Sequence, residues 1–330
     1  MDAWRRLLPR YYDILEDQGT AQYLDCKQVQ VSFDPSTPLA GLWGIHDSAL
    51  EHLKIQDTPP SQSLLDLKIE IAQRIYQSCC LCEHHCNINR EKMTGKCGVR
   101  DSRIASEFLH TGEEPPLIPS HTIFFSGCTF QCVFCQNWDI SQYQNGAGVS
   151  PKNLAERITQ RKQQGARNVN WVGGEPTSNL PFILRVLREL RINRPQVWNS
   201  NMFCSEQTMK LLHGVIDVYL TDFKYGNDAC AQRLSKVNGY VSVVKQNHLI
   251  ASQQGEVMIR HLVLPNHSVC CSQLILEWIR RNIPDVLVNV MGQYRPYYQA
   301  QDYEDIADVL PRDEYYRVTE YAKRLGLSLI

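Results

Sequence analysis

The sequence predicts an α/β protein: a partial (β/α)6 barrel of the TIM type, with an N-terminal helical and cysteine-rich metal-binding extension. Three observations lead there. Six apolar, strand-like runs alternate with segments of helical period from His121 onward, the pattern of parallel βαβ units. None of the joins carries the Gly-rich turn of a doubly wound dinucleotide fold. Thirteen cysteines, with two groups of them at ligand spacing, occur in a chain whose first residues, MDAWRRLLPRYYDILEDQG, lack the apolar stretch of a secretory leader. That usage favours metal binding in a reducing cytoplasm over a disulfide framework.

The elements follow in order. Residues 1–60 form an N-terminal extension, with short amphipathic patterns and no motif over 1–56, and the Pro-containing linker DTPPSQS (57–63) leads out of it. A cysteine-rich segment is expected over 61–115. Ser63-Leu64-Leu65-Asp66-Leu67 opens a helix towards Tyr76, and Cys79, Cys82, Cys86 and Cys97 follow it. GEEPPLIPS then reads as a connector. The barrel is expected over 116–300, with strands at 122–126, 169–172, 197–202, 218–223, 257–264 and 286–291. Helices lie between them at about 151–164, 180–192, 206–213, 229–237 continuing to 250, and 269–282. Residues 301–330 read as closing helices. With 34 basic against 35 acidic residues, composition gives no argument for a nucleic-acid partner or an acidic membrane surface. No run approaches the ~18 apolar residues of a membrane span.

The chemistry begins at Cys128-Thr129-Phe130-Gln131-Cys132-Val133-Phe134-Cys135. The C-x3-C-x2-C spacing offers three thiolates, whereas an iron–sulfur cubane is normally held by four, so one iron would stay open. Three structural or zinc cysteines are the alternative. In a barrel of parallel strands, functional groups collect at the C-terminal strand ends, and each end carries a candidate. The second strand ends in Gly173-Gly174-Glu175-Pro176, where glycines admit close backbone approach and a carboxylate is available to an ammonium group. The third ends in Asn199, Ser200 and Asn201, polar groups for a ribose or carboxylate, or plain turn formers. The fourth ends in Asp222 and Lys224, two apart and so on one face, as ligand contacts or a structural ion pair. Arg260 is a charge inside an apolar strand and needs a partner. That partner is a ligand carboxylate, Asp222 or Glu175. Gln293 or Tyr294 is placed to close the pocket at the sixth strand.

The three-cysteine loop with its aromatic, followed by GGEP, resembles the radical S-adenosylmethionine (SAM) superfamily. The span from His121 to about Pro296 is similar to glycyl-radical-enzyme activases of the pyruvate formate-lyase activating enzyme type. Within these it resembles most the activating-enzyme-like iron–sulfur proteins of unassigned role. The residues carrying this are the cysteine triad, Gly173 to Glu175, Asp222 with Lys224, and Arg260 in IRHLVLP. The resemblance implies a [4Fe–4S] cluster on Cys128, Cys132 and Cys135 and SAM bound at its open iron, with the GGEP segment holding the methionine amino group. It further implies reductive cleavage of SAM to a 5′-deoxyadenosyl radical that abstracts hydrogen from a substrate. A low-potential donor, flavodoxin or ferredoxin, is the implied electron source. A glycyl radical enzyme is the implied partner; another peptide or a small metabolite is the second enzyme reading. A non-catalytic iron–sulfur electron carrier is the reading from a different class, and it would need neither GGEP nor the polar strand ends. About thirty residues without cysteine separate Cys135 from Val169, so the ferredoxin-like insertion that several activases carry there is absent.

The second set, Cys79, Cys82, Cys86 and Cys97, supplies four thiolates, with Cys80, His84 and His85 as alternative ligands. Such a closed set suits structural zinc or a fully ligated second cluster, and spacing does not separate them. The surrounding polar residues and the Gly95 and Gly98 turns favour a zinc knuckle. Cys26, Cys204, Cys230, Cys270 and Cys271 lack ligand spacing and are expected to be buried small apolar residues.

Overall fold

A computed structural model describes residues 2–330; Met1, the first residue of the expected extension, lies outside them. One sheet runs through the molecule in simple sequence order. Its strands are β1 (Ile104–His110), β2 (Ser120–Phe125), β3 (Asn168–Gly173), β4 (Gln196–Ser200), β5 (Val218–Asp222), β6 (Glu256–Leu262), β7 (Leu287–Met291) and β8 (Ser328–Leu329). The parallel pairs from β2 to β8 form the expected partial barrel.

Two strands were not foreseen. β1 pairs antiparallel with β2. Its residues IASEFLH alternate buried and part-exposed positions, as an edge strand with one solvated face does. β8 returns to the sheet after the helix Arg312–Arg324 and pairs with β7, so the last segment is not helices alone. The sheet therefore runs across both boundaries expected at 115 and 300.

The crossover helices Pro151–Gln163, Leu180–Glu189, Glu206–Leu212 and Leu274–Asn282 lie where the periodicity puts them. The long helix expected from 229 to 250 is two, Asp228–Ser235 and Tyr240–Gln254. Lys236 (φ 60°) and Gly239 (φ 64°) are left-handed between them, which ends an α-helix. The helix expected after Ser63 is Leu64–Gln77, closed by a capping box in which Ser63 and Asp66 each accept the other's backbone N–H.

Alternation along the strands builds the site. Val197, Leu220, Met258 and Leu287 pack together on the inner face with Leu8 and Tyr11 of the N-terminal segment. The extension thus plugs the lower end of the barrel. Two residues further on, the same face carries Asn199, Asp222, Arg260 and Asn289. The register agrees: Leu220 pairs with Met258 and Asp222 with Arg260, and Arg260 pairs with Asn289. The inner face is apolar at the bottom and polar at the top. The plug is tied down by Glu256, whose carboxylate accepts the backbone N–H of Arg10 (2.6 Å) and Tyr11 (3.0 Å). These are unpaired donors of the first turn of the helix Pro9–Leu15.

Candidate active site

The C-terminal ends of the strands surround a cavity of about 380 Å³. The cysteine loop leaves β2 through Gly127 (φ 84°) and brings Cys128, Cys132 and Cys135 to its wall. Around them the cavity gathers Gly173, Gly174, Glu175, Asn199, Asn201, Asp222, Lys224, Arg260 and, at the exposed rim, Gln293. Two expected contributors are elsewhere. Ser200 is buried behind the wall and donates to Glu175 at 2.7 Å. Tyr294 is fully buried, donates to the Ile306 carbonyl at 2.6 Å and packs on Phe134.

The two glycines have a structural reason for lacking a side chain. A Cβ on Gly173 would stand 2.2 Å from the Phe125 backbone, and one on Gly174 would stand 2.1 Å from the Gly127 carbonyl oxygen. They seat the Glu175 loop directly on the base of the cysteine loop. Glu175 is buried, and its carboxylate accepts from the Thr177 amide (3.2 Å), the Thr177 hydroxyl (2.6 Å), Ser200 and the Asn201 amide (3.0 Å). Burial raises its pKa, against the pull of these donors. Asn201 in turn donates to Thr129 at 2.9 Å, linking the third strand end to the triad.

The charged residues form a network. Lys224 donates to one Asp222 oxygen at 2.8 Å and Arg260 to the other at 3.0 Å, while Arg260 also reaches Asn199. Burial alone would raise the Asp222 carboxyl, but Arg260 and Lys224 outweigh it and hold the pKa down to about 2. The partner of Arg260 within the protein is thus Asp222 and not Glu175.

The sequence reading missed Glu113 and Glu114, inside the segment taken as a connector. Glu113 lines the cavity, accepts from Asn170 at 3.1 Å and lies 3.6 Å from Arg260. Burial and the neighbouring Glu114 push it up to about 7 against the pull of Arg260. Glu114 is buried and accepts from Asn289 at 3.0 Å. The available signal was the pair of acidic residues just before Pro115, since a carboxylate pair in a connector is unremarkable until a strand precedes it.

Four thiolates around one zinc, each at about 2.3 Å, stand about 3.8 Å apart, whereas cluster ligands reach different irons. Among the described residues, the sulfurs of Cys230, Cys270 and Cys271 all lie within 4.8 Å of one another. Burial raises the Cys132 thiol to about 12, Lys224 notwithstanding.

Cys79, Cys82, Cys86 and Cys97 lie outside the cavity but against its wall. His84 Nε2 is 2.7 Å from the Thr129 carbonyl, Arg90 donates to Cys79 Sγ at 3.4 Å, and the Cys128 amide donates to the Cys97 carbonyl at 3.1 Å.

A three-cysteine loop at the mouth of a partial barrel defines the class. The sequence pattern of the radical SAM superfamily matches residues 122–292, and the chain belongs to that superfamily. It is an enzyme family, and membership implies a [4Fe–4S] cluster and SAM binding. The chain is 44% identical over 336 residues to an uncharacterized protein of Methanocaldococcus jannaschii, covering 98% of this chain and 99% of that one. It is 27% identical to the pyruvate formate-lyase 1-activating enzyme of Escherichia coli over 151 residues, 44% of this chain and 61% of that protein. Superposed on methylornithine synthase it gives a TM-score of 0.47 at 15% identity, over 97% of this chain and 77% of that one. Among the described residues, no helix is long and apolar enough to cross a membrane.

Proposed function

We propose that Cys128, Cys132 and Cys135 hold the [4Fe–4S] cluster, that SAM binds across the strand ends beside it, and that the enzyme removes hydrogen from a protein or peptide substrate. The observation that carries this is the single cavity joining the triad to Glu175, Asn199, Asn201, Asp222, Lys224 and Arg260. When bound and reduced, the cluster with SAM supplies the 5′-deoxyadenosyl radical that takes the hydrogen atom.

The roles of the chain's own residues follow from their positions. Glu175 and the carbonyls of Gly173 and Gly174 meet the amino group of SAM. Arg260 and Lys224 offer cationic donors to its carboxylate, with Asp222 keeping both charged and oriented. Glu113 competes for Arg260 and yields to a stronger anion. Asn199 and Asn201 supply amides for the ribose. The second set, tied to the triad loop through the Cys97 carbonyl, would as an auxiliary cluster pass electrons from a low-potential flavodoxin or ferredoxin, and as a zinc knuckle would brace that loop. A reducing, cytoplasmic location belongs to this reading, because cysteines that ligate a cluster or a metal ion must be reduced thiolates.

A polymeric substrate is favoured by the rim. Asn137 lines the cavity, and Trp138 beside it stacks on Tyr298 at 5.5 Å and meets Tyr143 edge-on at 6.0 Å. All three aromatics are exposed, the composition of a protein-contact patch. The likeness to pyruvate formate-lyase 1-activating enzyme makes a glycyl radical enzyme one such partner.

The test is 5′-deoxyadenosine formation from SAM by the anaerobically reconstituted, dithionite-reduced protein. Formation that disappears in Cys132→Ala supports the reading. Unchanged formation in that variant would overturn the cluster assignment.

A further inference from the structure

The sequence reading placed Cys230, Cys270 and Cys271 among isolated buried cysteines. The structure corrects this: Cys230 and Cys270 are part-exposed, and the three thiols converge. We propose that they form a separate metal site that takes one thiophilic ion of the Zn²⁺ class.

The spacing is the first argument. Cys230 and Cys270 sulfurs are 4.0 Å apart and those of Cys270 and Cys271 are 3.9 Å apart. All three lie within 4.8 Å of one another. Thiolates sharing one tetrahedral zinc stand about 3.8 Å apart. The set thus has single-ion spacing.

The second argument is how the three are held. Forty residues separate Cys230 from Cys270, and two elements bring them together: the helix Asp228–Ser235 and the π-helical turn Ser268–Gln273. Such π turns recur at functional sites. Gly226 lets the two elements meet, since a Cβ there would stand 2.8 Å from the Cys270 carbonyl oxygen and from Cys271 Cα. The Asn227 side-chain amide donates to the Cys270 carbonyl at 2.9 Å and lies 3.3 Å from Cys230 Sγ and 3.8 Å from Cys271 Sγ. N–H groups aimed at sulfur orient thiolate ligands and stabilise their charge. Cys271 is buried beneath the other two, leaving the fourth position on the solvent side for water or a partner's ligand.

The site has a consequence for the cavity. The same helix ends at Ser235, whose hydroxyl is 2.9 Å from Cys132 Sγ and whose carbonyl accepts the Gln131 amide at 3.1 Å. An ion at Cys230 braces the helix that backs the triad loop.

The test uses the full chain, reconstituted with iron and sulfide so that the other cysteine sets are filled, then titrated with Co²⁺ and displaced with Zn²⁺. One equivalent of Co²⁺ with tetrahedral thiolate charge-transfer bands is expected. Cys230→Ser and Cys270→Ser, on two different elements, should each lose that equivalent while keeping wild-type iron content and, before Co²⁺ is added, the wild-type thermal midpoint. In the unmutated protein, Zn²⁺ should slow alkylation of Cys230 and Cys270 at least tenfold. The proposal is overturned if both variants take up Co²⁺ like the wild type, if Zn²⁺ leaves alkylation unchanged, or if mass spectrometry finds Cys230 and Cys270 disulfide-bonded in protein kept under reductant.

Discussion

The Cys97 carbonyl accepts a hydrogen bond from the Cys128 amide at 3.1 Å, so the last cysteine of the upstream set and the first of the triad share one backbone link. Gly127 makes it possible. A Cβ there would stand 2.6 Å from that carbonyl oxygen and 2.3 Å from Val99 Cγ2. The two cysteine sets are therefore one mechanical unit despite lying in separate parts of the sequence.

Breaking that unit at its hinge should disturb both sets. Gly127→Ala combines the overlap with a left-handed φ, a strain of about 1–3 kcal/mol. The expected result is a lower urea midpoint and reduced iron content after reconstitution, read by denaturation and iron assay. Wild-type values for both would show that the loops move apart without loss.

The nature of the upstream site is decided by counting metal. Two cubanes correspond to about eight irons per chain, and Cys97→Ser should bring this down to about four with the triad intact. About four irons and one zinc in the wild-type protein would instead make the upstream set a structural zinc site.

Arg260 sits between Asp222 at 3.0 Å and Glu113 at 3.6 Å. Arg260→Met leaves Glu113 without its cation and Asp222 with Lys224 alone, and the protein should be destabilised, short of the about 3–5 kcal/mol of a fully unpaired buried charge. Affinity for SAM should fall more than tenfold, measured by equilibrium dialysis on the reconstituted protein. Arg260→Lys should recover stability better than affinity, because an ammonium lacks the planar fork that matches a carboxylate.

The N-terminal plug should be sensitive to pH through Glu256. Burial pushes its carboxyl up to about 7 from 4.5, with the Tyr11 and Arg10 amides pulling the other way. A raised folded-state pKa means the contribution is fully present below about pH 4.5 and is lost as pH rises through about 7. The wild type should therefore lose stability relative to Glu256→Gln across that window. Urea midpoints of the two proteins at several pH values measure it, and a constant difference would rule the linkage out.

Much of this was legible in the chain. The βαβ alternation, the triad, GGEP, and the Asp222, Lys224 and Arg260 set are short-range patterns with a period or a spacing, and each side chain's face follows from counting along its own strand. What sequence missed depends on pairing at a distance. β1 is an alternating segment whose partner comes only after a turn. Glu113 and Glu114 acquire meaning from Arg260, nearly 150 residues away. Cys230 and Cys270 become neighbours only where Gly226 lets a helix and a π turn touch. Glycines 173 and 174 were read as room for a ligand, but their close contacts are with the Phe125 and Gly127 backbone.

By itself the sequence determined the class of barrel, the three-thiolate loop and the order of groups around the mouth, because local spacing fixes which residues share a face. Only the tertiary structure decided the rest: the plugging of the barrel floor by Leu8 and Tyr11, the coupling of Cys97 to Cys128, and the meeting of three scattered thiols. The physical reason is that such contacts are set by the packing of whole elements against one another, which no local period encodes.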